Sequence, residues 1–408
     1  MKQWRRFGPI VFALAAVLVL CRKVIGWGLR GGWQALPGDP IYNYTILRAN
    51  YFNAGFVRRG LQGTVLALFD RHGDVDSLVG FHVVCAVFLA VPLALLVRRL
   101  IVLGTWQWLW FAAVALLAPQ IMPSWSVDVG KGDMMTMGFV AWALLAAVDR
   151  RYVLAVVPLA IGYLAHETVI FFGAPLVAAM WFVDYRRGLA TTREGLVAVG
   201  VLGAALVTIT LAYVAFSAPP QEIARVILEG TPRSMLRYYA AYMTMAGTKS
   251  ATTSFCISLK RPDVALDLAA CVVVVLLYAV VTLARTRLAL GVFAFAALLP
   301  MVLLSAVAVD YGRWVSLAAM VAWLAAAGLR IKGAAPVEAA TRVYAGSAAV
   351  LALLMAMGSS SIYYANTATQ RLSRHLWTPV PMTLEQRISS CDPGWADTIA
   401  YPRGAAPR

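Results

Sequence analysis

The chain has 408 residues, of which 61% are hydrophobic and only 13% are charged. Soluble domains of this length do not have such a composition, which therefore excludes a water-soluble globular protein and predicts a polytopic membrane protein. The formal net charge of +16 does not indicate a nucleic-acid partner, because the basic residues fall mostly as short doublets between apolar runs, where they orient helices.

The apolar runs predict an all-α fold. They are roughly 16 to 23 residues long, which suits helices crossing a ~30 Å hydrocarbon core better than the strands of a barrel. About eleven transmembrane helices are expected. They lie near residues 8–26, 78–97, 103–121, 134–148, 152–165, 168–183, 195–217, 264–284, 288–308, 314–329 and 342–365.

The first apolar run imitates a secretory signal. Arg22 and Lys23 follow it directly without a small-residue cleavage pattern, so we expect a retained first helix. The basic residues fit a cytoplasmic N-terminus and an extracytoplasmic C-terminus, because this arrangement puts the arginine doublets in the cytoplasm. These doublets are Arg98-Arg99, Arg150-Arg151 and Arg186-Arg187.

This topology divides the chain into a single transmembrane domain, residues 1–365, and an extracytoplasmic tail, residues 366–408. Within the domain, the outer loop 218–263 separates residues 1–217 from the helices of 264–365, and part of that loop is expected to form interfacial helices. The Ala-, Val-, Leu- and Arg-rich composition indicates the inner membrane of a bacterium.

Acidic residues are concentrated on the predicted outer side. Of the 19, all fall there except Asp149, Asp184, Glu194 and Glu338. The rule that orients helices counts Lys and Arg and takes little from acids, so this asymmetry needs another cause. We interpret it as a polar site on the outer face.

The first outer loop contains candidate residues for such a site. Asp39 is a candidate general base for an acceptor hydroxyl, or alternatively a turn residue before Pro40. Arg58 and Arg59 lie among glycines and could bind a phosphate bidentately, or could instead extend toward lipid headgroups. Asn43, from the same loop, is included among the substrate-binding candidates.

The second outer loop, PSWSVDVGKGDMM, carries Asp128, Lys131 and Asp133. Two acids around a lysine in a glycine-containing turn could position a sugar hydroxyl, a phosphate or a divalent ion. The alternative is a solvated loop with an internal salt bridge.

His166 and Glu167 interrupt two apolar runs, which makes them the polar pair with the most distinctive position. The histidine could contact a phosphate or relay a proton, with the glutamate orienting it, or the two could satisfy each other as a buried contact. The four histidines show no zinc-binding spacing, so no metal or other cofactor is expected.

Asp310 and Arg313 stand one helical turn apart at the start of a late helix, where they could pair. Arg313 is also a second candidate for a lipid phosphate. Elsewhere, Cys256 and Cys391 both fall on the predicted outer side, where an oxidising compartment would permit a disulfide between them.

The layout resembles a known superfamily over roughly residues 1–217. A cytoplasmic N-terminus, an early Asp39 in the first outer loop followed by an amphipathic segment, and second-loop acids at Asp128 and Asp133 are similar to the C-type integral-membrane glycosyltransferases. The resemblance implies transfer of a sugar from a polyprenyl-phosphate donor to a glycan, lipid or protein acceptor at the outer face. It matches Asp39 to the first-loop catalytic acid and Asp128 or Asp133 to the second-loop acid.

Two other functions stay open at this point. A surface-polysaccharide polymerase or ligase using undecaprenyl-diphosphate glycans would use a large outer loop with arginines, and residues 218–263 carry Arg225, Arg233 and Arg237. A lipid-linked glycan transporter would favour polar residues at mid-membrane depth, of which the sequence has few.

Overall fold

The fold is helical throughout the part of the chain that the computed structural model describes, where no β-strand occurs, so the predicted all-α class is confirmed for that part. The described residues are 2–28, 40–57, 59–70, 77–103, 107–117, 121–126, 129–130, 132–229, 241–242, 252–253, 256, 287–307, 311–334 and 384–398. The helices predicted at 264–284 and 342–365 lie outside these residues.

The helices of the N-terminal half are α1 (Lys2–Gly28), α2 (Pro40–Leu47), α3 (Gly60–Ala67), α4 (Ser77–Val102), α5 (Gln107–Leu117), α6 (Met122–Trp125), α7 (Asp133–Val148), α8 (Tyr152–Ala165) and α9 (Thr168–Arg186). The later ones are α10 (Thr192–Phe216), α11 (Pro220–Glu229), α12 (Arg287–Phe293), a π-helical turn (Ala294–Leu298), α13 (Leu299–Val307), α14 (Tyr311–Ile331), α15 (Leu384–Cys391) and α16 (Trp395–Thr398).

Four of these helices are long and apolar enough to cross a membrane. They are Arg5–Gly26 within α1, Ser77–Val102, Thr168–Arg186 and Thr192–Phe216. Helices α7, α8 and α14 are also apolar but shorter in their apolar part than the ~20 residues of a full crossing. The segment predicted as a helix over 103–121 is described as helical only over Gln107–Leu117.

The centre of the bundle is formed by α7 and α14, whose described side chains are almost all buried. Helices α4, α8, α9 and the π-helical turn pack around them, and α1 packs against α4. Small residues allow this close approach, since a Cβ added at Gly328 of α14 would lie 2.8 Å from the sulfur of Met180 in α9. In contrast, α10 has most of its side chains exposed, as expected of a helix facing lipid.

Polar contacts define two ends of the bundle. At the first, which we call the Asp184 end, the Asp184 carboxylate accepts hydrogen bonds from the Tyr152 hydroxyl and the Lys332 ammonium. Arg99 pairs with Asp149 at the same end. Burial lowers the pKa of Lys332, while its bond to Asp184 acts in the opposite direction. The arginine doublets that the sequence assigns to one side thus lie close to ion pairs in the structure, and Arg99 of the first doublet forms one of them.

The opposite end, which we call the Asp133 end, includes the C-terminal half of α1. There Arg22 donates from Nε to Ser126 Oγ at 2.7 Å, and a nitrogen of His82 lies 3.0 Å from the Leu20 carbonyl oxygen. Because Leu20 and Arg22 are late in α1 and His82 is early in α4, the two helices run antiparallel.

A second, smaller core lies at the Asp133 end. It joins α11 to α15 and α16 through Ile227, Ile388 and Trp395, and it contacts the apolar side chain of Ile46 in α2. The predicted pairing of Cys256 with Cys391 is confirmed, with a Cα–Cα distance of 5.9 Å. Residues from the predicted outer loop and the predicted tail therefore pack together as one covalently linked unit.

Candidate functional site

The most buried ion pair at the Asp133 end joins α7 to α14. Asp133 is the first residue of α7, and Arg313 lies in the first turn of α14. Arg313 Nε lies 2.7 and 2.9 Å from the two carboxylate oxygens, and its Nη2 lies 2.5 Å from Oδ1. The two side chains are only 1% and 8% exposed. This two-pronged geometry holds the guanidinium in one orientation.

His166 continues the contact from Arg313. It ends α8 in an extended conformation, with φ −166° and ψ 133°, and its side chain is buried. Its Nε2 lies 3.1 Å from Arg313 Nη2, and its Nδ1 lies 2.9 Å from Thr168 Oγ1. A guanidinium can only donate, so Nε2 accepts from Arg313, while Nδ1 also lies 3.2 Å from the backbone N–H of Thr168.

Glu167 and Arg59 carry the contact to the surface. Arg59 Nη2 donates to Glu167 Oε1 at 2.5 Å, and Nε donates to Oε2 at 3.2 Å. Glu167 Oε2 also lies 3.6 Å from His166 Nδ1. The side chains of Arg59 and Glu167 are 36% and 21% exposed, so a ligand in solvent or in the headgroup region could reach them.

Together Asp133, Arg313, His166, Glu167 and Arg59 form what we call the polar chain. Its members come from four segments that are far apart in sequence, and the charges of its acids and arginines alternate in sign on the two sides of the imidazole. An incoming anion could take the place of Glu167 on Arg59. The released carboxylate would then be available to accept a proton next to His166.

Two amide side chains hold the turn that precedes Asp133. Asn43 Nδ2 donates to the Val129 carbonyl at 2.9 Å, and Gln62 Nε2 donates to the Gly132 carbonyl at 3.4 Å. A Cβ on Gly132 would lie 2.1 Å from the Gln62 amide, so a larger residue there would displace that amide from the Gly132 carbonyl. Helices α2 and α3 therefore position the start of α7. The predicted substrate residue Asn43 has its amide nitrogen on a backbone carbonyl.

A further polar cluster stabilises the first loop beside these helices. The hydroxyl of the buried Tyr44 donates to Asp70 Oδ2 at 2.8 Å, and Arg48 Nη1 lies 3.2 Å from the same oxygen. Burial, and then the hydrogen bond to Asp70, raises the pKa of Tyr44 to about 12. Tyr44 thus stays a neutral donor at physiological pH, which fits a structural role.

Five of the predicted site residues lie outside the residues that the structure describes, namely Asp39, Arg58, Asp128, Lys131 and Asp310. The others, Asn43, Arg59, Asp133, His166, Glu167 and Arg313, all lie at the Asp133 end. From helical spacing, Asp310 was the expected partner of Arg313. For Asp133, the alternative to a catalytic role was a salt bridge within its own loop. The structure pairs Asp133 and Arg313 with each other.

Comparison with protein-family models, curated proteins and solved structures finds no match to this chain. Among the described residues, no three His, Cys, Asp or Glu side chains group in a way that could hold a metal ion. The chemistry of the site therefore has to be argued from its own residues.

Sequence reasoning missed two residues of this site, Thr168 and Gln62. Thr168 follows His166-Glu167 and starts an apolar helix, so a polar residue at that boundary was an available signal. Gln62 stands within the apolar segment of α3, where a lone amide among Leu, Thr and Val indicates a buried polar contact.

Proposed function

We propose that this chain is a membrane glycosyltransferase that transfers a sugar from a polyprenyl-phosphate donor to a cell-envelope glycan, lipid or protein acceptor. The observation that carries this function is the polar chain, since it runs from a buried ion pair to a carboxylate and a guanidinium that a ligand can reach. Phosphate recognition and proton acceptance are the two tasks of such a transfer. Arg59 supplies a guanidinium for the first, and Glu167 supplies a second acid beside Asp39, the proposed base, for the second.

In the proposed reaction, a bond forms between the acceptor oxygen and C1 of the sugar while the bond from C1 to the phosphate oxygen breaks. The acceptor proton moves to a carboxylate, and polyprenyl phosphate leaves with the bonding electrons. Negative charge grows on that phosphate in the transition state, so a guanidinium held in position lowers the barrier. Asp39 is the proposed base, as predicted from the sequence.

Arg59 and Glu167 would exchange partners during the reaction. Before the donor binds, Glu167 occupies both nitrogens with which Arg59 would grip a phosphate. A phosphate with two oxygens of similar spacing can replace the carboxylate there. His166 and Arg313 then orient the released Glu167 through the Nδ1 side of the imidazole.

We also propose the membrane arrangement that this function needs, with about eleven crossings, a cytoplasmic N-terminus, and the Asp133 end facing out of a bacterial inner membrane. Two features support this orientation. Arginine doublets lie at the C-terminal ends of α4, α7 and α9, at the Asp184 end, in agreement with the positive-inside rule. The Cys256–Cys391 disulfide belongs to the second core at the Asp133 end, and disulfides persist in oxidising compartments.

The test is transfer by the purified protein in detergent, supplied with radiolabelled polyprenyl-phosphate sugars and no nucleotide sugar. We expect labelled product and released polyprenyl phosphate in equal amounts. Arg59→Gln should lower the rate by about 100-fold or more, the usual cost of losing one transition-state donor. The matched control is Arg225→Gln, which removes an exposed arginine that pairs only with Glu222 and Glu229 of its own helix among the described residues.

Other outcomes would decide against this function. Movement of an intact lipid-linked glycan across a vesicle membrane without release of polyprenyl phosphate would indicate a transporter. Activity restricted to diphosphate-linked glycans would indicate a polysaccharide polymerase or ligase. No described contact favours the latter, because Arg225, the described arginine of its predicted loop, is neutralised by two glutamates of α11.

A further inference from the structure

A groove at the Asp184 end lies far from the polar chain and includes none of the predicted site residues. It is a cavity of about 800 Å3 between α4, α7 and α8. This volume is within the roughly 300–1,000 Å3 of typical small-molecule sites. Its apolar walls are formed mainly by Phe88, Leu95, Trp142, Leu154, Val157 and Ile161.

The mouth of the groove is positively charged. Arg98, Arg99 and Arg151 line it together with a single acid, Asp149. Arg99 forms two hydrogen bonds to Asp149, one of them 2.7 Å long, and this pairing holds the pKa of Asp149 below its usual value. Arg98 and Arg151 are exposed, and the charge of Arg151 adds a smaller contribution to the lowered pKa of Asp149 than the hydrogen bond from Arg99 does. Two cationic groups are therefore presented to whatever enters.

The length of the groove matches one leaflet of a bilayer. From Arg99 to Phe88 the axis of α4 rises ~16 Å at 1.5 Å per residue, and from Arg151 to Ile161 the axis of α8 rises ~15 Å by the same rule. Half of a ~30 Å hydrocarbon core is ~15 Å. The charged residues lie at the end of the helices and the apolar walls extend inward from them, as the headgroup and acyl chains of a lipid do.

The outer wall of the groove is open to the side. Leu154, Val157 and Ile161 of α8 are 43–50% exposed, which is typical of a surface that faces lipid chains. Trp142 of α7 forms part of the inner wall and is only partly buried. An acyl chain entering sideways from the bilayer would lie against these side chains.

We propose that this groove binds one anionic phospholipid of the leaflet at the Asp184 end, with its phosphate on Arg98 and Arg151 and an acyl chain against Trp142. Under the proposed topology this is the cytoplasmic leaflet, whose lipids are anionic. The site is separate from the polar chain, so lipid binding and sugar transfer can be tested independently.

Trp142 provides the probe for the test. The protein is placed in micelles with phosphatidylglycerol or phosphatidylcholine brominated on the acyl chain, and tryptophan fluorescence is measured. We expect stronger quenching by phosphatidylglycerol at equal concentration. Trp142→Phe should remove this difference, because the other tryptophans report only the average lipid around the protein.

Charge variants test the headgroup contact. Arg98→Gln and Arg151→Gln should each lower the preference for phosphatidylglycerol by about fivefold. Arg193→Gln should leave it unchanged, since Arg193 is an exposed arginine at the same end but outside the groove. Soluble glycerol phosphate should not compete, because it has no acyl chain.

Three results would overturn the inference. Equal quenching by the two lipids would show that the groove does not select an anionic headgroup. Competition by glycerol phosphate would show that the site binds a soluble phosphate rather than a lipid. Quenching by neither lipid, with the groove protected only in a dimer, would assign this face to a second copy of the chain. None of these readouts depends on glycosyl transfer, so their failure is distinct from failure of the proposed function.

Discussion

The two ends of the bundle each contain a carboxylate that is only 1% exposed, but the surroundings of the two acids differ. Around Asp184 the donors Lys332 and Tyr152 are themselves buried, and only Arg150, whose Nε lies 3.8 Å from the carboxylate and forms no hydrogen bond to it, reaches solvent. From Asp133 the contacts continue outward, through Arg313 and His166 to the partly exposed Glu167 and Arg59.

This difference shows which feature of a buried ion pair suggests function. A closed cluster fastens helix ends and offers nothing to a ligand, whereas a chain of contacts with graded exposure connects a rigid interior to the surface. The two acids also occupy opposite helix ends. Asp133 begins α7, where the helix dipole favours an anion, while Asp184 lies in the last turn of α9, where it does not. The Asp184 cluster therefore depends more on its cations.

The largest loss of stability is expected at the closed cluster. Asp184→Ala leaves the Lys332 ammonium buried without its carboxylate and should lower the free energy of unfolding by about 3–5 kcal/mol. The double variant Asp184→Leu with Lys332→Met should recover most of this loss, since apolar groups of similar size replace the pair. Thermal unfolding in detergent measures both, and transfer should survive in the double variant.

A similar experiment at the polar chain should give a different pattern. Arg313→Met should cost about 3 kcal/mol, at the low end of the range for broken buried pairs, because the start of α7 partly compensates the Asp133 charge. Adding Asp133→Leu should restore stability but not sugar transfer. If the double variant recovered transfer as well, the two ends would be equivalent and the polar chain would be only structural.

The next largest loss of stability is expected when the disulfide is removed. Replacing Cys256 and Cys391 together by Ser should lower the free energy of unfolding by about 2–3 kcal/mol, because the bond closes a long loop. Hydrogen exchange should rise in α11 and α15 and stay unchanged around Asp184. Reductant should lower the stability of the parent protein by the same amount and leave the stability of the Ser variant unchanged. A loss of stability in both proteins would show that the reductant acts on a group other than this disulfide.

The smallest effect on stability is expected at the exposed end of the polar chain. Glu167→Gln removes a partly solvated ion pair and should cost less than about 1 kcal/mol. Its effect on transfer should nevertheless be large, about 100-fold, if Glu167 takes part in proton acceptance. Glu222→Gln is the matched control, since Glu222 also pairs with an arginine at this end but belongs to α11. Equal rates for both variants would exclude Glu167 from the chemistry.

The sequence predicted helices with a long apolar pattern better than short helices. Helix α8 has the bounds predicted for it, 152–165, because charged residues bracket an apolar run at both sides. Helix α2 was not predicted, and α3 was expected only as an amphipathic segment without bounds, since eight residues hold too few turns for a reliable period. The second core was also missed, because it joins residues that are more than a hundred positions apart.

The candidate site shows the same limit. His166, Glu167, Arg59, Asp133 and Arg313 were all selected from local features such as a polar pair between apolar runs or an arginine among glycines. The contact between the neighbours His166 and Glu167 was among the alternatives considered. The other contacts could not be predicted, because Asp133 and Arg313 are 180 positions apart and helical spacing offers only near neighbours as partners.

Two arginines have left-handed backbones, Arg59 with φ 63° and Arg150 with φ 61°, one at each end of the bundle. Such a conformation costs a residue with a side chain about 1–2 kcal/mol that glycine does not lose. A library screened for heat resistance alone should thus enrich Arg59→Gly and Arg150→Gly alike. Screening the survivors for activity should then retain glycine at 150 and restore arginine at 59, and that outcome would mark Arg59 as a residue kept for activity rather than for stability.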